Sequence, residues 1–145
     1  MRIKLAAALL ALLPMIAFGQ TSPVGRWKTI DDDTGQPTSI VVVSEQNGQL
    51  NGVIEQLLRK PDQDQNLRCA LCKGDRKDKP LQGLNILWGV SKKGDGWGRG
   101  RILDPKSGKE YAVKLRLIDG GRKLEVRGYL GFSLLGRTQL WVRAD

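Results

Sequence analysis

Beyond residue 20 the chain alternates short apolar runs with clusters of Gly, Pro, Asn and Asp, and no stretch sustains the spacing of an amphipathic helix. The runs fall at 24–30, 38–45, 49–59, 82–91, 96–104, 109–118, 123–130 and 134–143, which predicts eight strands. Alternation is clearest in the sixth and seventh. Tyr111, Val113, Leu115 and Leu117 share one face, as do Leu124 and Val126, while Lys114, Arg116, Lys123, Glu125 and Arg127 face the other way. The connections DDTGQP, QNG, KKGDG, DPKSG and DGGR carry hairpin turn chemistry. Pro23, Pro37, Pro61, Pro80 and Pro105 all lie outside the predicted strands, as suits a residue with no ladder donor.

Connections this short make each strand pair with its successor. Eight meandering strands leave two raw edges unless the sheet closes, so the expected fold is all-β, an eight-stranded up-and-down antiparallel barrel. An immunoglobulin-type sandwich is the alternative, but its disulfide spans two sheets, which cysteines three positions apart cannot do. Residues 60–81 form the one long connection, and both cysteines of the chain, Cys69 and Cys72, lie in it.

The first residues change the setting. MRIK, the apolar run LAAALLALLPMIAF and small residues before Gln20 read as a secretory signal peptide over 1–19, leaving a single domain over 20–145. The apolar run is too short to span a bilayer, so no transmembrane segment is expected after cleavage, and the protein is expected to be periplasmic or secreted. The chain carries a formal net charge of +9, with Lys and Arg spread along its length. That balance suits solubility and an anionic envelope surface, and nothing points to nucleic acid.

Candidate chemistry is limited by the lack of any histidine. His-based nucleophile systems and His-liganded metals are thereby excluded, and no cofactor or metal is expected. For Cys69-Ala70-Leu71-Cys72, a redox centre needs a strand-to-helix turn and a zinc site needs two further ligands; in an oxidising compartment a disulfide is the simplest reading. So small a closed ring stabilises by roughly 2 kcal/mol and mainly stiffens its loop. Asp33-Thr34-Gly35 matches one half of an aspartic-protease motif, but no second copy exists, so it reads as a turn; its fit to a calcium loop is weaker still. Gly94, Gly96, Gly98 and Gly100 lack the strand-loop-helix setting of a nucleotide site and read as a bent strand with one bare face. Asp104-Pro105-Lys106-Ser107-Gly108 reads as a turn, and Asp104 lacks a nearby carboxylate partner for acid–base work.

The ordered series G-x-W, D-x-x-T-G, C-x-x-C, P-L-x-G-L, G-x-I-L-D-P-x-x-G-K-x-Y, R-G-Y-x-G and G-R-T-Q-x-W-x-R runs nearly end to end through the mature chain. In this it resembles an uncharacterised family of small exported bacterial proteins, a domain of unknown function. Gly25-Arg26-Trp27 on the first strand and Arg143 on the last resemble the signature of lipocalin and calycin barrels. That resemblance implies Trp27 as the barrel floor and Arg143 as its latch, through a cation–ring contact. It supplies no activity.

The leading expectation is a non-enzymatic barrel holding a small apolar or anionic ligand, with Trp88, Tyr111 and Tyr129 as candidate wall residues. Arg68, Lys73, Arg76, Lys77 and Lys79 would form a stapled basic rim favouring an anionic guest. The alternatives are a ligand-free envelope structural or stress protein with a filled core, and an enzyme using Asp104 or the cysteines.

Overall fold

A computed structural model describes Pro14 and residues 21–144; apart from Pro14, the expected signal peptide lies outside the described residues. The strands are β1 (Gly25–Ile30), β2 (Pro37–Gln46), β3 (Gln49–Leu57), β4 (Asn85–Lys93), β5 (Gly96–Asp104), β6 (Lys109–Ile118), β7 (Lys123–Tyr129) and β8 (Gly136–Arg143). Each pairs antiparallel with the next, and β8 returns to pair with β1, so the sheet is a closed eight-stranded up-and-down barrel.

The turns sort the barrel into two ends. At one, β2–β3, β4–β5 and β6–β7 are joined within two to four residues, at Asn47-Gly48, Gly94-Asp95 and 119–122. The chain enters and leaves beside them. At the other end stand the β1–β2 loop (31–36), the β3–β4 loop (58–84), the β5–β6 turn (105–108) and the β7–β8 loop (130–135).

Several strand ends differ from the sequence reading by one to three residues, and three differences have a local physical reason. Pro37 opens β2, as the first residue of a strand, where a missing donor is tolerated. Gln82, Gly83 and Leu84 belong to the long loop: Gly83 adopts φ 88°, and its N–H donates to the Ile54 carbonyl. In β5, Arg99 takes φ 64° and shifts the register between Trp97 and Gly100, so the bare-face alternation breaks there. A Cβ at Gly100 would come within 2.4 Å of Val90 Cγ2; only glycine lets the bulged strand lie this close to β4.

The lumen beside the short turns is solid. Trp27, Val41, Val43, Leu50, Leu87, Val90, Val113, Leu115 and Leu124 are all buried there. They come from six of the eight strands, so losing any of them would open a void that no single neighbour could refill. Charged side chains such as Arg26, Lys28, Glu55, Lys114 and Arg116 cover the outside.

The long loop is folded in its own right. Cys69 and Cys72 are joined as a disulfide and both are buried. Around them Cys69 N–H donates to the Lys79 carbonyl at 2.8 Å, and Asp78 N–H to the Cys69 carbonyl at 2.9 Å. The loop lies against the β5–β6 turn so tightly that a Cβ on Gly108 would sit 2.0 Å from the Leu71 carbonyl oxygen.

Candidate functional site: a lumen closed at one end

Strand β8 shows how the site is built. Arg137, Gln139, Trp141 and Arg143 alternate onto its inner face, opposite Gly128, Val126 and Leu124 of β7. They mark four successive depths, from the open end down to the short-turn end.

At the bottom, the Arg143 guanidinium lies 4.2 Å over the Trp27 ring. Its Nε donates to the Gly121 carbonyl at 2.9 Å, Nη1 to that of Val24 at 3.0 Å, and Nη2 to that of Ser22 at 2.9 Å. Trp27 Nε1 donates to the Pro23 carbonyl at 2.8 Å. One planar cation therefore ties the incoming chain, the β6–β7 turn and the floor indole together, using its fork of donors as a lysine could not. One level up, Trp141 is buried, and its Nε1 has no hydrogen-bond partner.

Above Trp141 the lumen is hollow. A cavity of about 590 Å³ opens at the long-loop end. Ile54, Ile86, Ile102, Val126 and Tyr111 make it apolar on most sides. One polar patch interrupts this wall: Thr29 Oγ1 shares hydrogen bonds with Thr38 Oγ1 at 2.8 Å and Ser39 Oγ at 2.7 Å, and Gln139 also lines the cavity. Gly128 helps keep the space open. A Cβ there would stand 3.4 Å from Tyr111 Cβ in ordinary contact, so a larger side chain would project inward and fill the cavity.

The mouth is governed by carboxylates. Asp31, Asp32, Asp33 and Asp104 line it, against two cations, Lys106 and Arg137. Asp31 Oδ1 accepts from Thr34 N–H, Thr34 Oγ1 and Asp33 N–H, while Oδ2 accepts from Lys106 Nζ at 3.3 Å. The Thr34 amide, followed by Lys106, lowers its pKa from 3.8 to about 2. Asp32 is held by Arg137 through both Nε and Nη2, and this bond and charge raise the Arg137 pKa. The β1–β2 loop is thus pinned on one side to the β5–β6 turn and on the other to the start of β8. Asp104 caps its own turn through Lys106 N–H at 2.9 Å and Ser107 Oγ at 2.8 Å.

The residues singled out from the sequence disperse. Tyr111 stands on the inner wall. Tyr129 lies on the outer face of β7, with Lys114 Nζ 5.8 Å over its ring, and reaches the cavity only at the rim. Trp88 is not a wall residue: it is paired with Arg101 and covered by Arg76, whose guanidinium lies 4.1 Å over its ring. The basic residues of the long loop do not line the cavity either. Arg68 donates to the Asp78 carbonyl, Lys77 to that of Ala70, and Arg76 pairs with Glu110, while Lys73 and Lys79 are exposed. Sequence reasoning missed Arg137 and Gln139, although the period of two that puts Trp141 inside places both of them inside as well. Asp31 and Lys106 gave no such signal, because their contact joins loops 75 positions apart.

Residues 25–143 match the model of a family described as "Uncharacterized protein conserved in bacteria (DUF2147)". The chain belongs to this family. No curated protein sequence matches this DUF2147 chain. Among solved structures it is similar to protein HP1028 from the human pathogen Helicobacter pylori, described as belonging to the lipocalin family, with a TM-score of 0.74 and 19% identity over 87% of this chain and 85% of that one. The DUF2147 barrel is therefore lipocalin-like in fold. Among the described residues, no helix is long and apolar enough to cross a membrane, and no cluster of three or more His, Cys, Asp or Glu is placed to hold a metal ion.

Proposed function

We propose that this protein is an exported, non-enzymatic carrier that holds one small, largely apolar molecule in the upper half of its barrel. The observation that carries the reading is the cavity itself: about 590 Å³, apolar on most sides, with one hydroxyl and amide patch and a single open end. That size and composition are typical of pockets that take small organic ligands. The disulfide supports an oxidising compartment, periplasmic or extracellular. Asp104 caps a turn and both cysteines are bonded to each other, so the groups best suited to chemistry already serve structure.

The guest differs from the anionic one suggested by the basic loop. With four carboxylates to two cations around the mouth, a neutral molecule or one with a positive end is favoured over an anion. A wholly filled core describes only the lower half of the barrel.

Native mass spectrometry of protein purified from its own host, combined with uptake of a neutral fluorescent apolar probe, tests the proposal. A co-purifying molecule released on unfolding, and probe uptake abolished by Gly128→Phe in a folded variant, are the expected results. A clean apo mass together with no probe uptake by the wild type would sink the proposal.

A further inference from the structure

The wall of the cavity is polar on one side. Thr29 stands directly opposite Ser39 on β2 and opposite Trp141 on β8, so the three side chains project from neighbouring strands to the same, inner face. Gln139 follows two residues from Trp141 and shares that face. Across the barrel, Ile86 of β4 and Ile102 of β5 present an apolar side.

The polar row has hydrogen-bonding capacity that the protein leaves unused. Ser39 is only 8% exposed, and among the described residues its Oγ bonds Thr29 Oγ1 alone, at 2.7 Å, out of the three hydrogen bonds a hydroxyl can make. Gln139 is half-buried and adds an amide with two donors and a carbonyl acceptor. Trp141, at the same depth of the wall, adds an indole N–H that is buried with no acceptor among the described residues. A buried donor left unpaired is costly, so a group that supplies an acceptor here gains what the empty barrel lacks.

Charge is kept away from this level. Asp31, Asp32 and Asp33 lie in the β1–β2 loop, Asp104 ends β5, Lys106 is in the following turn and Arg137 is near the start of β8. These are the charged side chains of the cavity wall among the described residues, and all of them stand at the mouth, where Lys106 and Arg137 are each held by a carboxylate. An ionised group lowered to Gln139 would be buried without a counter-ion, and an anionic one left at the mouth would meet four carboxylates.

We propose that this row selects a neutral carbonyl compound, such as an ester or amide of a hydrocarbon chain. Its C=O lies against Gln139, Ser39 and Trp141, and its hydrocarbon part against Ile86 and Ile102. Gln139 determines the specificity by donating from its amide to the carbonyl oxygen. The proposal rests on the carrier reading and adds to it the chemical class of the guest.

Displacement of the neutral fluorescent apolar probe by methyl decanoate, decanoate and undecane at neutral pH tests this in the wild type and in Gln139→Leu. The wild type should take methyl decanoate at least about tenfold more tightly than decanoate. In Gln139→Leu the ratio of ester to undecane affinity should fall about fivefold, the loss expected of one hydrogen bond. NMR of the wild type needs no variant: methyl decanoate should shift the side-chain amide of Gln139 and the indole N–H of Trp141 more than undecane does. Equal affinity for ester and carboxylate, an unchanged ratio in folded Gln139→Leu, or signals that answer ester and undecane alike would overturn the proposal. Failure of the carrier reading shows separately, as absence of probe uptake by the wild type.

Discussion

Two arginines, six positions apart on the inner face of β8, do opposite things. Arg143 at the floor stacks on a buried indole and holds three backbone carbonyls from two chain segments. Arg137 at the mouth is exposed and holds one carboxylate, Asp32, on a surface loop. The floor contact covers a wholly buried indole and satisfies the partly buried carbonyls of Gly121 and Ser22; the mouth contact competes with solvent at both partners. A barrel built this way is stabilised from one end and kept accessible at the other. The same division separates the packed lower lumen from the hollow upper one.

The largest expected effect is on the floor. Trp27→Ala should lower unfolding free energy by about 3–5 kcal/mol, because the indole is wholly buried and touches several strands. Trp97→Ala, at a half-buried position, should lower it by less than about half as much. Urea denaturation of the two variants checks this, and equal losses would erase the distinction between floor and wall.

A lysine swap at each β8 arginine sharpens the comparison. Arg143→Lys should lose about 1–2 kcal/mol, since an ammonium cannot serve three diverging carbonyls while stacking on the ring. Arg137→Lys should change stability by less than about 1 kcal/mol, as expected of an exposed ion pair. Denaturant midpoints measure both, and a larger loss at Arg137 would reverse the assignment.

The smallest effect belongs to pH. The Asp31 pKa is lowered in the folded protein from 3.8 to about 2, so its contribution to stability is complete above about pH 4 and disappears as pH falls towards 2. Melting temperature followed across that range should fall less steeply in Asp31→Asn than in the wild type. Identical slopes would show that the clasp between the β1–β2 loop and Lys106 does not contribute.

The architecture was legible because it rests on local signals. Residues 109–118 and 123–129 alternate cleanly, and β5 and β6 begin and end where the turns KKGDG, DPKSG and DGGR place them. Reading failed where a neighbour decided the outcome. Arg99 takes a positive φ where the β5–β6 register shifts, beside a Gly100 that lies against Val90, and Gly83 leaves the strand and donates its amide to the Ile54 carbonyl. Trp88 looked like a wall residue by its type, yet register puts it outside under Arg76, a residue from the long loop that local pattern could not place. The basic residues 68–79 were grouped correctly in sequence, but the fold of their loop turns three of them towards backbone carbonyls or Glu110 and away from the lumen.

By itself, then, the sequence determined eight strands in meander order, the need to close the sheet, and the small ring formed by Cys69 and Cys72, because period-two alternation, turn residues and short spacings act within a few positions along the chain. Only the tertiary structure decided which half of the lumen is filled and which charges guard its opening. Those outcomes depend on side chains from distant strands meeting across the barrel: Trp27 over the floor, Gly128 leaving space beside Tyr111, and Asp32 meeting Arg137 across more than a hundred residues of chain.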